Sequence, residues 1–214
     1  MKTFLIDGGI CVEYYTSAHF REVATPEIIS QITQATSNGF GISRDEEDMR
    51  SHIFDTENIG IIYKDGVLSG FATTQAFQEM DLCYLHGIAI GSTGVGTGSV
   101  LLRHMFLESG MNRFGFTTQN PTMYLSAKKT TVQIFPNPDT EPDAETVGFG
   151  KKLVAHRKGY FLETMAIMEL YPECLYPTIP TPKDDSLWRW WKTMLRVDSG
   201  GKSRDGIVFV GKIK

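Results

Sequence analysis

Gly91, Gly94, Gly96 and Gly98 fall within eight positions. Glycine lets backbone N–H groups approach an anion with no Cβ in the way. The flanks set the context. Gly87-Ile88-Ala89-Ile90 reads as the end of a buried strand. Ser99 to Leu107 has helical spacing, with Leu101, Leu102, Met105 and Phe106 on one side, and Gly110 supplies a stop. A strand, a glycine turn and a helix start together favour anion binding, because the first N–H groups of a helix have no internal partner and carry its positive dipole end. A pyrophosphate is the expected ligand. Two common phosphate loops do not fit. The P-loop needs Lys-Ser/Thr after its last glycine, and Gly96 is followed by Thr97-Gly98. The dinucleotide fingerprint needs a third glycine three positions after the second; counted from Gly94-Val95-Gly96, that position is Ser99.

The elements that must hold this turn are legible in part. Phe4 to Glu13 alternates weakly, as a strand or a short hairpin around Asp7-Gly8-Gly9. Thr25-Pro26-Glu27 opens a helix whose face is Ile28, Ile29, Ile32 and Ala35 and which is expected to end before Asn38-Gly39. Arg44 to Arg50 starts a charged helix. Ile59 to Tyr63 and Val67 to Thr74 form a hairpin around Asp65-Gly66, and Asp81 to Ile90 is the strand that leads into the turn. Phe114 to Gln119 is a short strand, and Asn120-Pro121 opens a helix. Beyond Phe135 come a proline-rich acidic loop (Pro136 to Asp143), a helical segment (Ala144 to Tyr160) and an irregular aromatic stretch (Pro172 to Pro182). A Trp-rich helix (Ser186 to Leu195) and a final strand (Gly206 to Ile213) complete the chain.

Composition narrows the function classes. The chain has 214 residues with 21 Lys and Arg against 25 Asp and Glu, a net charge of −4. With no basic run, nucleic acid and anionic membrane are not expected partners. Cys11, Cys83 and Cys174 are widely spaced, odd in number and without metal spacing. No metal is expected, and a reducing, cytoplasmic setting is. The apolar start is cut short at Asp7-Gly8-Gly9, too early for a signal peptide, and no stretch approaches ~20 apolar residues.

The segment Thr93-Gly94-Val95-Gly96-Thr97-Gly98-Ser99-Val100-Leu101-Leu102 resembles the acyl-CoA pyrophosphate loop of the GNAT (N-acetyltransferase-like) superfamily, Gln/Arg-x-x-Gly-x-Gly/Ala followed by a helix with paired aliphatics. Gly96 and Gly98 match the two small positions, and Thr93 stands where Gln or Arg is usual. The preceding hairpin with Gly70-Phe71-Ala72 and the later Asn120 also have counterparts in the superfamily. The resemblance is good from Ile59 to Lys129 and reaches the last ~80 residues only through the final strand. It implies an α/β fold, with a mixed, mainly antiparallel sheet flanked by helices, as a single domain over 1–214. The core would run to about 135, followed by a C-terminal extension. It implies transfer of an acetyl or other acyl group from acetyl-CoA or another acyl-CoA to an amine of a small molecule or peptide. It places the cofactor along Ile88, Ala89 and Ile90, on the turn Thr93, Gly94, Val95, Gly96, Thr97, Gly98 and Ser99, and against Asn120. Backbone N–H groups of Gly87 to Ile90 would stabilise the oxyanion. His86, or Asp81 and Glu79 through water, would be the general base. The phenol that protonates the thiolate in many members falls at Ala127 here, and Tyr124 is the nearest phenol.

The same residues have plainer readings. His86 also fits a satisfied strand histidine, Glu79 and Asp81 fit strand-entry charges, and Tyr124 fits a residue packed on the sheet. Trp188, Trp190 and Trp191 line an acceptor pocket, make a homodimer contact or close a core. The acidic stretches Asp45 to Asp48 and Asp139 to Asp143 hint at a cationic acceptor. Three rival functions stay open: a non-catalytic CoA- or ligand-binding module acting as sensor or partner, a nucleotide-binding protein, and an acyl-CoA enzyme whose acceptor is not an amine.

Overall fold

A computed structural model describes residues 1–91 and 96–213. The chain forms two compact units, Met1–Met111 and Asn112–Lys214.

The first unit is an antiparallel sheet in sequential order: β1 (Lys2–Ile6), β2 (Ile10–Thr16), β3 (Asn58–Lys64), β4 (Val67–Phe77) and β5 (Leu82–Ile90). The β3–β4 turn is Asp65-Gly66, with φ of 51° and 78°. Both residues sit in the left-handed region that a tight hairpin requires. Between β2 and β3 lie α1 (Ser17–Val23), α2 (Pro26–Phe40) and α3 (Glu46–Phe54), and α4 (Thr97–Glu108) follows β5. Strand alternation divides the helices between the two faces. Ile59 and Ile61 of β3 and Phe71 of β4 pack with Phe20, Ile29, Ile32, Met49 and Ile53 of α1 to α3. Gly60, one step along β3, lies under Met105 and Leu101 of α4.

α2 corrects one sequence expectation. It runs through Asn38-Gly39 and stops only at Gly41, in the left-handed conformation at φ 70°. Gly39 is a contact position. A Cβ there would lie 2.9 Å from the Ile90 carbonyl oxygen, and a Cβ on Gly91 would lie 3.0 Å from Ala35 Cα. Two glycines thus let α2 abut the exit of β5 backbone to backbone. We expect Gly39→Ala to destabilise the protein by about 1–3 kcal/mol, the range for an overpacked contact whose neighbour is backbone. The opposite sign, a gain of ~1 kcal/mol, would follow if helix propensity alone mattered; thermal unfolding reads which occurs.

The second unit is built around β10 (Gly206–Ile213). It pairs antiparallel with β6 (Arg113–Thr118), β7 (Thr131–Phe135) and β9 (Ala166–Met168), and β8 (Tyr160–Phe161) pairs with β9. The helices are α5 (Pro121–Thr130), α6 (Ala144–Leu153) and α7 (Asp185–Leu195). The helical segment expected to reach Tyr160 ends at Leu153. Val154 already leaves helical geometry at ψ 8°, and Gly159 at φ 112° turns the chain into β8. Gln119 ties the irregular stretch after β9 to the sheet. Its Nε2 donates to the carbonyls of Ser203 and Asp205, each at 2.8 Å, and its Oε1 accepts from the Leu175 N–H at 2.9 Å. A fully buried amide needs such partners. Each unit is thus an antiparallel sheet carrying helices, the mixed α/β class implied by the sequence. Among the described residues no helix is long and apolar enough to cross a membrane, and no cluster of His, Cys, Asp or Glu is placed to hold a metal.

Candidate functional site

Among the described residues, six of the seven α-helices begin on a side chain that accepts a hydrogen bond from the first turn: Thr16, Thr25, Asp45, Asn120, Asp143 and Asp184. α4 does not. Its cap is Gly96, at φ 74° and ψ 0°, with no side-chain bond. Thr97 and Gly98 occupy the first helical positions, whose N–H groups have no intrahelical acceptor. The Ser99 N–H turns back to the Gly96 carbonyl at 3.1 Å, and the helical ladder starts with Val100. Among the described residues nothing lies within 4 Å of where a Cβ on Gly96 would stand. Donors, dipole and room therefore coincide at one helix start. Thr93, Gly94 and Val95, the first half of the expected turn, lie outside the described residues.

β5 delivers the chain to this point. Its last residues pair with β4 as Gly87↔Thr73, Ile88↔Ala72, Ala89↔Phe71 and Ile90↔Gly70, and the Gly91 N–H donates to the Ser69 carbonyl at 2.8 Å. With α2 abutting at Gly39 and Gly91, the exit of the strand is fixed on two sides.

His86 is placed in a way the sequence does not reveal. The register steps from Thr73↔Gly87 to Thr74↔Leu85, which makes His86 the extra residue of a β-bulge. Its side chain is exposed, stands edge-on to Tyr84 at 4.9 Å and reaches the Gln75 side chain, Nε2 to Oε1, at 3.0 Å. With that amide oxygen as acceptor, Nε2 carries the proton, and Nδ1 is the basic atom of the neutral ring. Nothing in a single strand's sequence signals a bulge, because it is a mismatch between two strands.

The other candidates are dispersed. Glu79 is exposed on the single 3-10 turn Gln78–Met80, and Asp81 follows it in the left-handed conformation at φ 48°. Asp81 lies nine positions before Ile90, about 30 Å of extended chain. The two carboxylates therefore stand at the opposite end of β5 from the turn.

In the second unit, Asn120 is occupied at both ends of its amide. Oδ1 accepts from the Thr122 N–H at 2.9 Å, capping α5, and Nδ2 donates to the Tyr176 hydroxyl at 3.3 Å. Tyr124 is 1% exposed and packs against Trp190, Trp191 and Phe209, and its hydroxyl is buried with no hydrogen-bond partner among the described residues. Burial, with the negative charge of Asp139, pushes its pKa up to about 12. Ala127 is wholly buried.

No protein-family model matches the sequence, and no curated protein matches it. Solved structures do match. A GNAT family acetyltransferase from Elizabethkingia anophelis, solved with acetyl-CoA bound, aligns over 96% of this chain and 99% of its own, at 14% identity and a TM-score of 0.50. This chain has the GNAT fold. The ribosomal-protein-S18-alanine N-acetyltransferase of Escherichia coli is also similar, at 12% identity and a TM-score of 0.48 over 95% of this chain and 94% of that one. An IAA acetyltransferase from Bacillus cereus gives 14% and 0.48 over 95% and 99%. At these identities the likeness is one of fold.

Proposed function

We propose that this protein is an acyl-CoA-dependent N-acyltransferase, moving an acetyl or other acyl group to an amine of a small molecule or peptide. One observation carries the reading: on the GNAT fold, the helix that follows β5 is the one that starts without a side-chain cap. The N–H groups of Thr97 and Gly98 are suited to a diphosphate, as is the open left-handed Gly96. The bound acyl-CoA would bring a thioester that is already activated.

The chain's own residues then have three tasks. β5, fixed by β4 and α2, orients the acyl group along Gly87 to Ile90, where backbone N–H groups donate to the oxygen that gains charge. His86, exposed at the bulge and oriented by Gln75, takes the proton of the attacking amine on Nδ1 and returns it to the departing sulfur. Tyr124, the sequence candidate for the acid, is covered almost completely, and His86 carries both transfers in this reading. Glu79 and Asp81 stand too far along the strand to share them.

Calorimetry with acetyl-CoA tests binding directly. At ~100 times its dissociation constant, acetyl-CoA should stabilise the protein by ~2.7 kcal/mol; no shift in melting at millimolar acetyl-CoA would remove the proposal. Release of free thiol with a panel of amines tests chemistry. His86→Gln should lower kcat about 10²- to 10³-fold and leave the KM for acyl-CoA unchanged. Equal loss in both parameters would mean that His86 shapes the site without moving a proton. Thr93 and the buried Ala127 stand where the superfamily carries phosphate-binding and acid side chains, which favours a second reading as a non-catalytic CoA-binding module. Tight acetyl-CoA binding with no thiol release for any amine would select it.

A further inference from the structure

A glycine inside a strand weakens it, because glycine loses the most backbone freedom on folding and brings no side chain to pack. Four strand glycines of this protein have a visible cause. A Cβ on Gly60 would stand less than 3.0 Å from Met105, on Gly70 from the Ala89 carbonyl, on Gly206 from Leu170 and on Gly211 from Phe114. Gly87 in β5 has no such neighbour. Outside its chain neighbours, the described atom nearest to the place of its Cβ is Thr73 Oγ1 at 3.6 Å, an ordinary contact. Nor does the backbone require glycine there. Gly87 does not have a positive φ, so the bulge at His86 is not the kind that takes a left-handed glycine.

The register says which side of the strand is open. Gly87 pairs with Thr73, and the next pair on that face, Ala89 with Phe71, is buried in the core beneath α1 to α3. Immediately before Gly87 stands the exposed His86, joined to Gln75. The gap over Gly87 is therefore bordered by the Thr73 hydroxyl, stopped along the strand by Ala89, and next in the chain to the imidazole. A strand glycine with neither a conformational nor a packing cause marks a place where something other than the protein comes close to the backbone.

We propose that Gly87 is bare because the acyl chain of the thioester crosses it, and that the site admits chains longer than acetyl. The inference rests on the acyl-transfer reading and names the class of acyl donor for it. In that reading the thioester oxygen accepts from N–H groups of Gly87 to Ile90. A carbonyl held there brings its carbon chain into contact with the same strand. Acetyl ends one carbon past the carbonyl, whereas butyryl has two more carbons to lay over the glycine. A side chain at position 87 would stand in their way.

The test is calorimetric titration of the full chain and of Gly87→Val with CoA, acetyl-CoA and butyryl-CoA, with no amine present. The wild type should bind butyryl-CoA at least as tightly as acetyl-CoA. Gly87→Val should keep its affinity for CoA within about three-fold and lose about ten-fold or more for butyryl-CoA, the scale on which a pocket discriminates one methylene. Gly87→Ala, titrated in the same way, should show the same order with a smaller loss. Gly87→Ala also checks the gap without any ligand: with room for the Cβ and no positive φ, it should melt no lower than the wild type. Rejection of butyryl-CoA by a wild type that binds CoA, equal loss of CoA and butyryl-CoA in the variants, unchanged butyryl-CoA affinity in them, or a lower melting temperature of Gly87→Ala would each overturn the proposal. Each of these results leaves the acyl-transfer reading standing, whereas a wild type that binds no CoA overturns both.

Discussion

Gly98→Asp is expected to raise the melting temperature and to weaken acyl-CoA binding strongly. The two effects have one origin. Gly98 lies at the second position of α4, whose start has no side-chain cap. An acid in the first turn of a helix contributes about 0.3–1 kcal/mol by facing the dipole, and replacing a helical glycine adds a few tenths more. For a chain of this size that is roughly 2–4 °C. The same carboxylate would stand where a diphosphate must sit. Two like charges ~4 Å apart at a surface repel by about 4 kcal/mol. Only part of that is realised in salt, so a loss of about 100-fold, ~3 kcal/mol, is a conservative expectation. Gly98→Ala separates charge from shape. It should gain similar helix stability and keep affinity within about ten-fold, since the matched motif accepts alanine at this position. Calorimetry with acetyl-CoA on both variants reads the contrast. Undiminished affinity in the Asp variant would place the phosphates away from α4.

Trp191→Ala is expected to be the most damaging single change in the second unit, at about 4 kcal/mol. Its ring is fully buried, lies nearly parallel to Phe209 at 5.7 Å, and meets Tyr124 at 6.0 Å and Trp190 at 5.6 Å. Its Nε1 donates to the Gln119 carbonyl at 3.0 Å. Truncation leaves a cavity and an orphaned carbonyl together, and cavities from Trp cost about 3–5 kcal/mol. Against a total of about 5–15 kcal/mol this is a large share. Trp191→Phe keeps the stack on Phe209 and loses the hydrogen bond, so it should cost about half as much. Trp188, half-buried beside Lys192, should tolerate alanine within about 1 kcal/mol. Urea unfolding followed by near-UV circular dichroism ranks the three; a ranking with Trp188→Ala worst would mean the aromatic core is misassigned.

The tryptophans illustrate what one sequence leaves open. Their spacing announces an aromatic helix, which is α7. It does not say that Trp191 closes the core while Trp190 borders a cavity, because that depends on which strand lies beneath. Local signals did better. Thr25-Pro26, Asn120-Pro121, Asp65-Gly66 and the run Gly206 to Ile213 each specify an element through its own chemistry, and each element forms where those residues stand. The strand–glycine–helix order around Gly96 was legible for the same reason. Non-local causes were invisible. Asn38-Gly39 has the composition of a helix stop, yet its glycine answers to the Ile90 backbone some fifty residues away. α1 and β7 to β9 are too short to show a period. Of the candidate site, the residue types were readable and their grouping was not. The α4 start lies beyond one end of β5 and the two carboxylates before the other, His86 sits midway along the strand, and Asn120 caps its own helix.

The bulge gives β5 an unusual tolerance to changes in length. Leu85 pairs with Thr74 and Gly87 with Thr73, so these two residues point to opposite faces although they are two apart. Removing His86 would make them neighbours in a regular ladder with every other side chain still facing its present layer. An in-frame deletion of that single codon should therefore yield a folded protein with a straighter strand and no imidazole. Removing Tyr84 or Ile88 would instead turn part of the strand inside out. Position 86 is the place where shortening the chain by one residue costs chemistry before it costs architecture.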